Sequence, residues 1–168
     1  MEMSEFRKSI EVNLLAYVHF AKLFLEQSVN GKPLHLVNVN SIAGHCACQA
    51  NSDYCASKYG LHGFTDALRH ELPPHCLMTN FYPYYVDTGL FRGFKPVLGF
   101  LVPMLNTDYV ANRVYQAILA EEQEVYIPSI IELLKNVFIM VPLTLRNFIS
   151  HHLVGTGMDH YTGRTKNE

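Results

Sequence analysis

The six residues Leu34–Val39, LHLVNV, are too short for a helix and β-branched enough for a buried strand, and they lie between two long helix-patterned runs. In the first run, 4–29, Phe6, Ile10, Leu14, Tyr17, Val18, Ala21 and Phe24 or Leu25 recur at steps of three and four. Ser4 is expected as its N-cap and Asn30-Gly31 as its end. The second run, 53–72, stops at Pro73-Pro74. A strand is expected over 77–82 and another over 125–127. Between them a helix over 107–122 is capped by Thr107 or Asp108, with Tyr109, Val110, Val114, Ala117 and Ile118 turned inward. Parallel strands need a crossover, commonly a helix, so this alternation predicts an α/β fold with a parallel sheet.

With 168 residues, 49% of them hydrophobic, the chain is large enough for the core of roughly one domain. A net charge of −2 gives no electrostatic reason to expect nucleic acid as a partner. The opening MEMSEFRKSIEVN contains acids and no apolar segment, which is not the pattern of a signal peptide. Cys46, Cys48, Cys55 and Cys76 lack the dense spacing of a disulfide scaffold. His45, Cys46 and Cys48 lack the two-residue gap and second ligand pair of a zinc site, so no metal is expected and the thiols read as reduced and structural.

Chemistry concentrates at four polar positions. Tyr54 and Lys58 are four residues apart in a run without helix breakers, so they share one helix face. A cation beside a phenol lowers the phenol's pKa from about 10 and makes it a usable acid or base nearer neutral pH. Ser41 directly follows the strand, where parallel sheets place their ligands. Asn13 sits inside the first helix, between Val12 and Leu14, where an amide needs a reason.

Taken together, "VNLLAYVHFAKLFL", "LVNVNSIAG", "YCASKYGLHGFTDALRHEL" and "YPYYVDTGLF" resemble the second half of a short-chain dehydrogenase/reductase. The spacing makes the match demanding, with Ser41 thirteen residues before Tyr54 and Asn13 twenty-eight before Ser41. The resemblance implies the C-terminal half of a Rossmann-like, doubly wound sheet and an oxidoreductase using NAD or NADP. In that role Tyr54 exchanges a proton with the substrate oxygen, which Ser41 holds. Lys58 lowers the tyrosine's pKa and bonds the nicotinamide ribose, while Asn13 orients a relay water. Pro83, Val86 and Thr88 match the family's Pro-Gly-x-Val-x-Thr near the carboxamide, with Tyr84 in place of the usual glycine. No Gly-x-x-x-Gly-x-Gly precedes Asn13, so only the nicotinamide half of a cofactor site is expected within these residues.

Residues 1–128 are expected to form the partial catalytic domain, with a substrate lid at 89–106 and an apolar helical extension at 129–168. In the lid, Phe91, Phe94 and Leu98 belong to an apolar wall suited to a retinoid, a steroid or a long-chain alcohol. The run 130–149 is more apolar still, but it is interrupted by Pro142 and leaves only about ten uncharged residues between Lys135 and Arg146, half of the roughly twenty needed to span a bilayer. It reads as a pair of interfacial helices on a membrane or lipid droplet, or as a helix buried against the sheet or a dimer partner. "MDHYTGR" and "TGLFRGF" extend the resemblance to the membrane-associated retinol and 17-beta-hydroxysteroid dehydrogenase branch, which implies a cytosol-facing location at the endoplasmic reticulum or lipid droplets. The resemblance also implies a homodimer through helices 4–29 and 53–72. The alternative from another class is a non-catalytic, membrane-associated interaction module.

Overall fold

Strand β1 (Leu34–Val39) pairs in parallel with β2 (Cys76–Pro83), and β2 pairs in parallel with β3 (Glu124–Ile127), giving the order β1-β2-β3. These come from a computed structural model that describes residues 2–28, 31–88, 99 and 102–154. The central strand is buried continuously from Met78 to Tyr82, because helices cover both faces of the sheet. Successive side chains alternate between faces. Phe81, Val125 and Ile127 therefore pack with Leu105 and Ala117 on one side. Met78 joins Ala21, Leu36 and Leu68 on the other. Tyr82 and Tyr126 share a third cluster with Val102 and Ile131.

The first helical run is continuous but changes pitch: α1 (Met3–Ile10), a π-helical turn (Glu11–Leu15) and α2 (Ala16–Glu26). Its inward residues are those expected, with Leu25 rather than Phe24 against the core. Ser4 is not the N-cap. The helix already begins at Met3, after an extended Glu2 that gives no side-chain cap, and Glu5 complements the dipole in the first turn. Gly31, at φ +73°, takes the left-handed conformation expected after this helix.

Helix α3 (Ser52–Glu71) carries Asp53 in its first turn and Arg69 and His70 in its last, each matched to the dipole. Helix α4 (Thr107–Leu119) is capped by neither Thr107 nor Asp108. The cap is Asn106, whose side-chain oxygen accepts from the Asp108 and Tyr109 amides. Val110, Val114, Ala117 and Ile118 face the core, whereas Tyr109, one position off that stripe, is 49% exposed. Pro142 divides the last apolar run into α5 (Ile130–Met140) and α6 (Leu143–Ile149). Ile131 packs on the sheet, while Leu133, Val137, Met140, Leu143 and Phe148 are exposed. Among the described residues no helix is long and apolar enough to cross a membrane.

A polar row crosses the sheet. Asn38 donates to Asn80 at 3.1 Å, and Asn80 donates to Glu124 at 2.9 Å. Arg69 pairs with Glu124 at the far end. The strand register aligns Asn38 with Asn80 and Asn80 with Glu124.

Candidate functional site

The loop after β1 is built to present its first residues at the carboxyl end of the sheet. The Asn40 amide continues the strand ladder by donating to the Phe81 carbonyl at 2.8 Å, and its side-chain oxygen accepts from the Ser41 amide at 2.9 Å. Ser41 is buried and extended, and its hydroxyl accepts from the Ala43 amide at 3.2 Å, capping the short 3-10 turn Ile42–Gly44. This turn lies hard against α3. A Cβ on Gly44 would stand 2.8 Å from the Lys58 carbonyl oxygen, so the close approach requires glycine.

On α3, Tyr54 and Lys58 share a face as their spacing predicts, with the Lys58 ammonium 5.8 Å from the centre of the Tyr54 ring. The Lys58 Nζ donates to the Val39 carbonyl at 3.1 Å, and burial pushes its pKa down to about 8. Between them, Ser57 donates to the Tyr54 carbonyl at 2.7 Å and accepts from the Asn13 side-chain amide at 3.1 Å. Asn13 thus finds its reason in a partner on the next helix. It lies within the π-helical turn, where the Ala16 amide reaches back five residues to the Glu11 carbonyl.

Asn13 and Lys58 line one cleft of about 270 Å³ along the outer edge of β1, with Tyr17, Phe20, Asn38 and Val39. Tyr17 Oη and Asn38 Oδ1 are buried and have no hydrogen-bond partner among the described residues. Pro83 closes β2, Val86 bridges to Leu105, and Thr88 is exposed. Phe91, Phe94 and Leu98 lie outside the described residues, as do "MDHYTGR" and the later part of "TGLFRGF".

A second cavity, about 280 Å³ and chiefly apolar, opens beside Ser41. The turn residue Ile42 lines it together with Cys46, Tyr84, Val102, Ile131 and Phe138. Val102 falls within the lid expected at 89–106. The contribution of α5 is not expected from the sequence, because an apolar helical run looks the same whether it covers a sheet, a ligand or a lipid. Beneath the cavity, Tyr126 stacks on Tyr82 at 4.8 Å and its hydroxyl lies 3.2 Å from His45 Nε2. Burial, with His62 and Lys135 nearby, pushes the His45 pKa down to about 3, so the ring stays neutral. Cys48 and Cys55 lie 3.8 Å apart as free thiols. No group of three or more metal-ligating side chains occurs among the described residues.

A family model described as short chain dehydrogenase matches residues 1–96. Short-chain dehydrogenase/reductase family 16C member 6 of Bos taurus is 32% identical over 160 residues, covering 93% of this chain and 48% of the relative. Epidermal retinol dehydrogenase 2 of Mus musculus is 29% identical, covering 92% and 50%. Estradiol 17-beta-dehydrogenase 11 of Homo sapiens is 33% identical, covering 82% and 46%. The chain therefore spans about half the length of the curated relatives it matches. Among solved structures, a short chain dehydrogenase from Burkholderia cenocepacia J2315 in complex with NADP superposes with a TM-score of 0.74 at 21% identity, covering 88% of this chain and 60% of that one. That likeness concerns the fold.

Proposed function

Because the chain belongs to the short-chain dehydrogenase/reductase family, we propose that it carries the catalytic half of an oxidoreductase that interconverts lipophilic alcohols and carbonyls with NAD or NADP. One observation carries the reading: Tyr54 and Lys58 stand one helical turn apart on α3, packed against the loop that holds Ser41, whose next residue, Ile42, lines an apolar cavity. The names of the relatives, a retinol and an estradiol dehydrogenase, support retinoids or steroids within a substrate class that also takes in long-chain alcohols.

Tyr54 is the acid and base at the substrate oxygen. Lys58, half-buried and cationic below a pH of about 8, favours the ionised phenol through its charge. Ser41 holds the substrate oxygen, a role its hydroxyl can take because its proton is not committed to Ala43, from which it only accepts. Asn13 holds α3 in place through Ser57 and lines the cleft in which a relay water would sit. The residues around this cleft fit a hydroxyl-bearing ribose: a lysine with donors to spare and two buried polar atoms, Tyr17 Oη and Asn38 Oδ1, with no partner among the described residues. Lys58 and Tyr54 would hold the nicotinamide ribose and Pro83, Val86 and Thr88 the carboxamide; when bound, the nicotinamide supplies the hydride acceptor or donor. The exposed apolar positions of α5 and α6 support attachment to a membrane or lipid-droplet surface, and the resemblance to the membrane-associated branch adds a cytosol-facing location at the endoplasmic reticulum to the reading.

The decisive experiment places Tyr54→Phe in a protein long enough to include the dinucleotide-binding half. Loss of turnover by about 10²-fold or more, with an unchanged circular dichroism spectrum, is expected. Retained turnover would remove Tyr54 from the mechanism. A second reading, a non-catalytic interaction module, draws on the exposed Val12, Phe20 and Val39 along the β1 cleft. In that reading the helices expected at 4–29 and 53–72 serve a homodimer, and sedimentation of the purified chain tests it.

A further inference from the structure

We propose that the apolar cavity beside Ser41 selects its ligand by the ligand's acidic end, through Lys135, so that its substrates are apolar hydroxy or oxo acids. This deepens the reading of that cavity as the substrate site and rests on it. The walls are almost wholly apolar, with Ile42, Val102, Ile131 and Phe138 among them, yet Lys135 of α5 is part of the lining. Its ammonium donates to the Tyr126 hydroxyl oxygen at 2.8 Å and lies 4.5 Å over that ring. Lysine can only donate, so the Tyr126 oxygen accepts, and the Tyr126 proton is directed to His45 Nε2 at 3.2 Å. A neutral His45 is the form that accepts it.

This chain of contacts holds the lysine in place and consumes one of its three donors. No carboxylate among the described residues lies within ion-pair distance of it. A cation fixed by a tyrosine, on a residue that lines an apolar cavity and lacks an acid partner among the described residues, is complementary to a carboxylate on an otherwise apolar molecule. The cavity, about 280 Å³, suits a single chain or small ring system with one charged end. An alcohol of the same skeleton would fill the walls equally well but leave the ammonium unpaired.

The test compares dodecanoic acid with dodecan-1-ol, each titrated calorimetrically into the purified 168-residue chain and into its Lys135→Met and Lys135→Arg variants at neutral pH. The wild type should bind the acid more tightly than the alcohol. Lys135→Met should weaken the acid by about tenfold or more and leave the alcohol unchanged, while Lys135→Arg should keep the preference. Circular dichroism establishes that each variant is folded, and Lys135→Gln replaces Lys135→Met if the latter is not. Equal binding of acid and alcohol by the wild type, or an unaltered acid affinity in Lys135→Met, overturns the proposal. Val137→Trp, at the cavity wall, separates the two levels of the argument. If it blocks both ligands while Lys135→Met changes neither, the cavity stands and the lysine's role falls. If it blocks neither, the cavity itself is not the binding site. Binding to vesicles of phosphatidylcholine with phosphatidylserine distinguishes a free acid from a lipid headgroup. Weakened vesicle binding in Lys135→Met with acid affinity intact would assign the lysine to the lipid surface and overturn the proposal.

Discussion

The side-chain amide of Asn13 donates to the hydroxyl of Ser57 across 3.1 Å, and Ser57 is fully buried. The bond ties the first helical run to the helix that bears Tyr54 and Lys58. Asn13→Ala and Ser57→Ala should each lower the stability to urea, and the double variant should cost less than their sum. The coupling is expected at about 1 kcal/mol, typical of a net intramolecular hydrogen bond. Strict additivity would mean the two helices are held by other contacts.

Glycine is needed at position 44 but not at position 60. A Cβ at Gly44 meets the Lys58 backbone carbonyl at 2.8 Å, and backbone cannot step aside. A Cβ at Gly60 meets Leu14 Cδ2 at the same distance, but that atom is the end of a flexible side chain. Gly44→Ala should cost about 1–3 kcal/mol through overpacking. Gly60→Ala should be close to neutral, since alanine in mid-helix returns about 0.5–1 kcal/mol. Urea midpoints of the two variants decide the matter, and equal losses would contradict the geometry.

Lys58 makes stability depend on pH in a particular direction. Its pKa in the folded chain is about 8, below an unfolded value of about 10.4. The native state therefore binds fewer protons than the unfolded state between these values, and stability should rise with pH across that window. Lys58→Met should lack this rise. The difference between the two unfolding profiles isolates the lysine from the buried tyrosines, whose raised pKa values act oppositely at higher pH. Parallel profiles would show that the amine is better solvated than its surroundings imply.

The 168-residue chain should bind neither NAD(H) nor NADP(H) at micromolar concentrations. Dinucleotide affinity comes largely from a helix N-terminus and glycine-rich turn at the pyrophosphate, and this sequence has no Gly-x-x-x-Gly-x-Gly before Asn13. A few hydrogen bonds at Lys58 and Thr88, each about 0.5–1.5 kcal/mol net, do not offset the entropy of immobilising so flexible a molecule. Calorimetric titration checks this, and micromolar binding would reveal a nucleotide site that the motifs do not announce.

The strands and the three long helical runs were legible in the sequence because periodicity reports burial directly, and β1 falls on Leu34–Val39 as read. Capping was less legible. Asn106 precedes two residues that are themselves good caps, and only the geometry selects the side chain that reaches the Asp108 and Tyr109 amides. The row Asn38, Asn80 and Glu124 could not be foreseen, because its members become neighbours only once the strand register is fixed. Of the candidate site, the shared face of Tyr54 and Lys58 followed from spacing alone, whereas Ser57 looked like one more small residue between them. Lys135 was hidden for a different reason: a single charge in an apolar run is ordinarily a solvated position, and its contact with Tyr126 joins separate elements.

The π-helical turn makes chain length in this helix a matter of angle. Its surplus residue advances everything before it by roughly 100° relative to an unbroken α-helix. In the observed phase Ser9 meets Asp53, donating its hydroxyl at 2.6 Å, while Asn13 meets Ser57. Excising one residue from Glu11–Leu15 would restore a regular helix and swing Met3–Ile10 round the axis, so that only one of the two contacts to α3 could survive. Substitutions in this stretch remove a contact; a deletion turns the helix like a misindexed gear, leaving the side chains of Met3–Ile10 intact but pointing the wrong way.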